Sequence, residues 1–155
     1  MSYRKLAPLV LLLGTACASG GGSALFRRDL GNASGPDALA VAMRVAQQYS
    51  YQIANVDSLK AIRIETEWQK RKPFDDEAAF GIQDAESRLL IVARPRGNTM
   101  IGSNYSVNLT VENRLRVQGE SSWNESLNTE MFNAYAEKIA LDLKQLYTNI
   151  GVRRY

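Results

Sequence analysis

Between Asn104 and Gln118 the chain reads NYSVNLTVENRLRVQ, with apolar and polar residues alternating at a period of two. Tyr105, Val107, Leu109 and Val111 fall on one side, and Ser106, Asn108, Thr110 and Glu112 on the other. Only an extended strand puts alternate residues on opposite faces, so this stretch commits the fold to a sheet with one dry and one wet face. Leu115 and Val117 keep the same parity beyond Asn113, so the strand either continues or bends there.

Two other stretches carry strand signals. In SLKAIRIETEWQK, Ile62, Ile64, Thr66 and Trp68 share one face, while Ala61, Arg63, Glu65 and Glu67 share the other. Trp68 is therefore expected in the core. SRLLIVARP is a short continuous apolar run and predicts a more central strand ending at Pro95, followed by a PRGN turn.

Helical periods flank these strands. Ala38, Val41, Ala42, Val45, Ala46 and Tyr49 recur at three and four, behind Pro36 and Asp37, which suit a first helical turn. A second helix is predicted from Asn128 or Thr129, with Phe132, Ala136, Ile139, Ala140, Leu143, Leu146, Tyr147 and Ile150 on its apolar face and Gly151 as its stop. The expected fold is α+β, a two-layer domain over residues 37–151. Its order is helix, three antiparallel strands, helix, with both helices on one sheet face and a short tail over 152–155.

Composition narrows the chemistry. The 155 residues contain no histidine and one cysteine, Cys17. The usual nucleophile–histidine pairs, an internal disulfide and a thiolate metal cluster are thereby removed. No catalytic set and no cofactor site are read, and a non-enzymatic protein is expected. The sequence pI is about 9.1. Without residues 1–16, however, 17 basic residues face 16 acidic ones, so net charge falls from +3 to +1. That balance lacks the footprint of a nucleic-acid binder.

The basic residues lost belong to a targeting segment. Arg4 and Lys5 precede the apolar run Leu6–Leu13, which is too short to cross a bilayer of about 30 Å at 1.5 Å per residue. A basic head, a brief apolar run and small residues read as a signal peptide over 1–16. Leu13-Gly14-Thr15-Ala16-Cys17 resembles the lipobox of bacterial lipoproteins, in which cleavage precedes a cysteine that becomes the lipidated N-terminus. Gly14 stands where that family usually has a large aliphatic residue. A competing site, Ala16-Cys17-Ala18, fits ordinary signal peptidase and would release a soluble protein.

The resemblance implies a lipid on Cys17. Ala18 after the cysteine implies the outer membrane, facing the periplasm, with the inner-membrane face or the soluble periplasm as alternatives. The stretch ASGGGSALFRRDLGNASGP is then expected to be a tether over 17–36, spanning on the order of 25 Å as a coil.

Candidate sites within the domain are few. Asp75, Asp76, Glu77, Asp84 and Glu86 form an acidic stretch that suits a divalent cation or a solvated loop, without EF-hand spacing. Lys70, Arg71, Lys72, Arg94, Arg96, Arg114 and Arg116 make either a basic surface or scattered solubilising charge. Trp123, in GESSWNESLN between strand and helix, is the best candidate for a partner-contact aromatic, and Arg114 and Arg116 are separate partner-binding candidates. Asn32, Asn104, Asn108 and Asn124 match a glycosylation pattern that matters only in a eukaryotic chain.

A lipid-anchored binding, assembly or accessory module for another envelope component is the expected function. A small-molecule or lipid carrier with a cavity between helices and sheet is the alternative.

Overall fold

A computed structural model describes residues 25–97 and 104–152. Its elements run β1 (Phe26–Ser34), α1 (Gly35–Gln48), β2 (Ile53–Asp57), β3 (Ile62–Thr66), β4 (Gln69–Arg71), α2 (Asp75–Ala79), β5 (Ile82–Arg96), β6 (Asn104–Val117) and α3 (Glu130–Val152). Six strands form one antiparallel sheet in the order β1-β6-β5-β3-β2, with β4 also pairing β5. The expected helix–three strands–helix domain is therefore corrected to a six-stranded sheet with three helices.

The strands with the clearest alternation form the sheet's centre. β5 and β6 pair from Ile82↔Val117 to Arg96↔Asn104, and β3 adds to β5 from Ile62↔Ala93 to Glu65↔Leu90. Leu89, Ile91, Val107, Leu109, Val111 and Ile64 are buried on one face. The alternation in β6 continues past Asn113, and Leu115 is wholly buried.

The additional strands are those whose sequence hides the period. β1 lies within the expected tether, but Phe26 and Leu30 are buried and it pairs with β6 from Phe26↔Val111 to Ser34↔Asn104. A bulge between Asp29 and Gly31 breaks its register, and Gly31 takes a φ of +93°, closed by its N–H on Asp29 Oδ1 at 2.7 Å. Leu30 keeps the parity of Phe26 and faces the core. Charged residues at 27–29 and the run Gly31-Asn32-Ala33-Ser34 mask these two anchors. β2 is an edge strand with one dry neighbour, and β4 is three residues long, so neither shows a readable alternation.

The helices α1 and α3 lie together over the dry face. Ser34 caps α1 by accepting the N–H of Asp37, with Pro36 in the first turn. Ala38, Ala42 and Ala46 are buried on α1 and let it approach closely, and Tyr147 of α3 donates to the carbonyl of Ala38 at 3.1 Å. Thr129 caps α3 by accepting the N–H of Phe132. The core between the layers includes Val45, Phe132, Ile139 and Leu143, all fully buried. Among the described residues no helix is long and apolar enough to cross a membrane.

Candidate functional site

The face of the sheet opposite α1 and α3 carries an ordered ladder of charge. Pairing places Arg88 across from Glu112, Glu86 across from Arg114, and Asp84 across from Arg116. Each pair closes as an ion pair. Arg88 Nε reaches Glu112 at 2.5 Å and its Nη1 reaches Glu65 at 2.9 Å. Arg114 Nε donates to Glu86 at 2.7 Å, and Arg116 Nη2 to Asp84 at 2.6 Å. Opposite charges directly across a ladder stabilise it, and guanidinium forks suit carboxylates.

Two tryptophans lie on this ladder. The ring of Trp68 is 4.7 Å from the guanidinium carbon of Arg88 and 4.2 Å from that of Arg114. The ring of Trp123 is 4.7 Å from Arg114 and 4.9 Å from Arg116. Arg114 thus joins both rings. Cation–π contacts of this kind contribute about 0.5–2 kcal/mol each, depending on desolvation.

Local folding explains how each ring arrives. Beyond β3 and before β4, the three residues Thr66, Glu67 and Trp68 oppose only Arg88 and Leu89 of β5, between the pairs Glu65↔Leu90 and Gln69↔Ser87. One extra residue flips the side-chain alternation. Trp68, expected in the core from its parity with Ile62 and Ile64, therefore stands half-buried on the wet face.

Trp123 is placed by a loop that returns to β6. Pairing with β1 ends at Val111, leaving the edge of β6 open further along. Asn124 fills it with two backbone bonds to Leu115, of 2.9 and 2.7 Å. Gly119, at φ +86°, makes the turn that allows the return. The structure brings Trp123, Arg114 and Arg116 together on this face. It adds Trp68, Arg88 and Glu86, which sequence reasoning missed as members of this face. The alternation of β6 with β5 carried the signal for Arg88 and Glu86.

Of the basic candidates, Lys70, Arg94 and Arg96 share this face with Arg114 and Arg116 by register, whereas Arg71 and Lys72 do not. Arg71 points the other way, into the core, where it binds Glu77 through Nη1 at 2.7 Å and Nη2 at 2.6 Å and meets Asn113 at 2.8 Å. Phe74 and Phe132 lie 4.3 and 5.4 Å from its guanidinium. Arg94 and Arg96 sit at the far end of β5, and Lys72 is exposed outside the sheet.

The acidic stretch is dispersed in the same way. Glu77 is fully buried against Arg71 and accepts the N–H of Phe74 at the start of α2. Asp76 accepts the N–H of Met131 at 2.9 Å and so helps to cap α3. Desolvation pushes the Asp76 carboxyl up, but bonds from Met131, Thr129 and the Glu77 N–H outweigh it and hold the group below the ordinary carboxylate range. Among the described residues no three Asp, Glu, Cys or His side chains gather as metal ligands.

Buried tyrosines complete the polar interior. The Tyr51 hydroxyl lies 2.7 Å from Ser87 Oγ and 3.1 Å from the Tyr135 hydroxyl. Burial pushes Tyr51 far above its usual range, so the phenol stays protonated and serves as a hydrogen-bonding strut. Cys17 and the signal segment lie outside the described residues. No protein-family model matches the chain, and no curated protein is significantly similar to it.

Proposed function

We propose that this chain is a non-enzymatic docking module of the cell envelope, held by a lipid on Cys17 and facing the periplasm from the outer membrane. The open sheet face is its docking surface. The observation that carries this reading is the Trp68–Arg114–Trp123 stack on a face that neither α1 nor α3 covers. Tryptophan and arginine are the residues most enriched at the energetic centres of protein interfaces.

The chemistry of the face favours a protein partner over an anionic lipid. Arg88, Arg114 and Arg116 are each matched to a carboxylate, so none is left to bind phosphate. These paired forks and the rings beside them fit a surface with its own mixed donors and acceptors. On the other face, fully buried Leu89, Leu109, Phe132 and Leu143 fill the layer where a carrier would need its cavity.

Photocrosslinking in the native envelope tests this surface. A photoreactive residue at Thr110 on the sheet face is expected to capture a partner, whereas one at Lys144 on exposed α3 is not. Equal capture from both positions would remove the reading. Fatty-acid labelling of the wild type and of Cys17→Ser tests the anchor, with label expected only on the wild type.

A further inference from the structure

Nine arginines lie in the strands, and six of them meet a carboxylate within the domain: Arg28, Arg63, Arg71, Arg88, Arg114 and Arg116. Arg27, Arg94 and Arg96 have no ion pair among the described residues. Register explains the difference. Arg94 lies opposite Ser106 and Arg96 opposite Asn104, and β1 brings Asn32 and Ser34 to the same two rows. Arg27, by contrast, has Asp29 two residues along on its own face. Arg94 and Arg96 flank Pro95 and so share the docking face, about 7 Å apart at 3.3 Å per residue. The nearest carboxylates on that face by register, Asp29 and Asp57, stand two strands away in the row of Val92. Each already gives an oxygen to a backbone N–H, Asp29 to Gly31 at 2.7 Å and Asp57 to Leu59 at 2.9 Å.

The hairpin between β2 and β3 belongs to the same corner. Ile62 pairs with Ala93, so the hairpin tip projects past the row of Arg94. Leu59 at that tip is 93% exposed, and Lys60 beside it has no ion pair among the described residues. Three unpaired cations and a bare leucine thus meet at one end of the sheet. A carboxylate-bearing surface with an apolar residue complements both features. A bilayer is the weaker fit, because of where the chain enters. β1 runs from Phe26 beside Val111 to Ser34 beside Asn104, which puts Leu25 roughly 26 Å from this corner. Cys17 stands eight positions before Leu25, so a lipid there enters from the opposite end of β1.

We propose that this corner binds an acidic segment of the partner protein, with carboxylates on Arg94, Arg96 and Lys60 and an apolar side chain against Leu59. This rests on the docking face proposed above and gives that face a direction. Mixed polar and aromatic contacts fall at the Trp68–Trp123 end, and acidic contacts at the hairpin end.

The test titrates the full-length chain, in a nonionic detergent, into a fluorescein-labelled peptide of glutamates around one leucine and follows anisotropy. Saturable binding is expected. Arg94→Gln together with Arg96→Gln should weaken it about tenfold, and Leu59→Ser about threefold. Lys138→Gln together with Lys144→Gln, on the helix side of the domain, should leave it within about twofold. All these residues are exposed, and circular dichroism should show every variant folded. No saturable binding, or equal weakening by the α3 pair, would overturn the proposal, as would binding to phosphatidylglycerol vesicles in place of the peptide. In the envelope, Arg94→Gln with Arg96→Gln should abolish capture from Thr110. Capture that persists in this variant overturns the acidic corner and leaves the docking face standing. Absence of capture from the wild type removes the docking face, and the peptide titration then decides the corner by itself.

Discussion

Trp68 lies over Arg114, its ring centre 4.2 Å from the guanidinium carbon, while Arg114 is held from below by Glu86. The ring and the ion pair therefore brace each other. Trp68→Ala should lower stability by about 1–2 kcal/mol, and a double-mutant cycle with Arg114→Ala should give a coupling of about 0.5–1 kcal/mol. Urea denaturation of the four proteins measures it. Additive losses would mean that ring and guanidinium do not act together.

The interior ion pair makes a sharper prediction. Glu77 is fully buried, and Arg71 is its bidentate partner. Glu77→Leu alone strands a buried guanidinium and should cost about 3–5 kcal/mol. Arg71→Met together with Glu77→Leu should recover most of that loss, because the remaining walls include Phe74 and Phe132. Chemical denaturation of the single and double variants decides the point.

Ser50 offers a change in the opposite direction. Its φ of +63° strains any residue with a Cβ, so Ser50→Gly should raise stability by about 0.5–1 kcal/mol. Thermal unfolding should show a higher midpoint. A fall would mean that the serine side chain has a structural bond worth more than the strain.

Acid sensitivity should trace in part to Asp76. Its carboxyl titrates below the ordinary range of an aspartate, so it contributes stability above the unfolded-state value, and the contribution is lost as pH falls through the folded-state value. Asp76→Asn should be less stable than wild type at neutral pH. The gap between their unfolding midpoints should close on moving from pH 5 to below pH 3. A gap independent of pH would show that the carboxylate charge is not what caps α3.

The N-terminal boundary can be tested by truncation. A chain beginning at Leu25 retains Phe26 and Leu30 and should fold. One beginning at Gly35 loses β1, exposes the edge of β6, and should lose cooperative unfolding by circular dichroism. Equal stability of the two would return residues 26–34 to the role of a linker.

How much was legible in the sequence depended on how cleanly each segment showed one period. Val107, Leu109 and Val111 announce β6 because every second residue is apolar and both neighbouring strands confirm the choice. Ala38, Val41, Ala42 and Val45 announce α1 for the same reason at a helical period. β1 carries only Phe26 and Leu30 among charges and small polar residues, and Arg28, on the same face between them, hides the alternation. Trp68 was misplaced because parity persists along a strand only until an extra residue interrupts it, and nothing in ETEWQK marks that interruption. Of the candidate site, Trp123, Arg114 and Arg116 were visible, since a loop aromatic and wet-face arginines are placed by local pattern. Their meeting with Trp68 depends on pairing across three strands, which no local pattern reports.

The extra residue between β3 and β4 has effects on both sides of the sheet. It hands Trp68 to the exterior and, three positions later, hands Arg71 to the interior, where Glu77 waits. Had residues 66–71 followed β5 in unbroken register from Glu65↔Leu90, both assignments would be reversed at once, with the indole inward and the Glu77 carboxylate sealed in the core without its counterion. The outward position of Trp68 and the salt link that holds α2 thus hang on one and the same backbone irregularity.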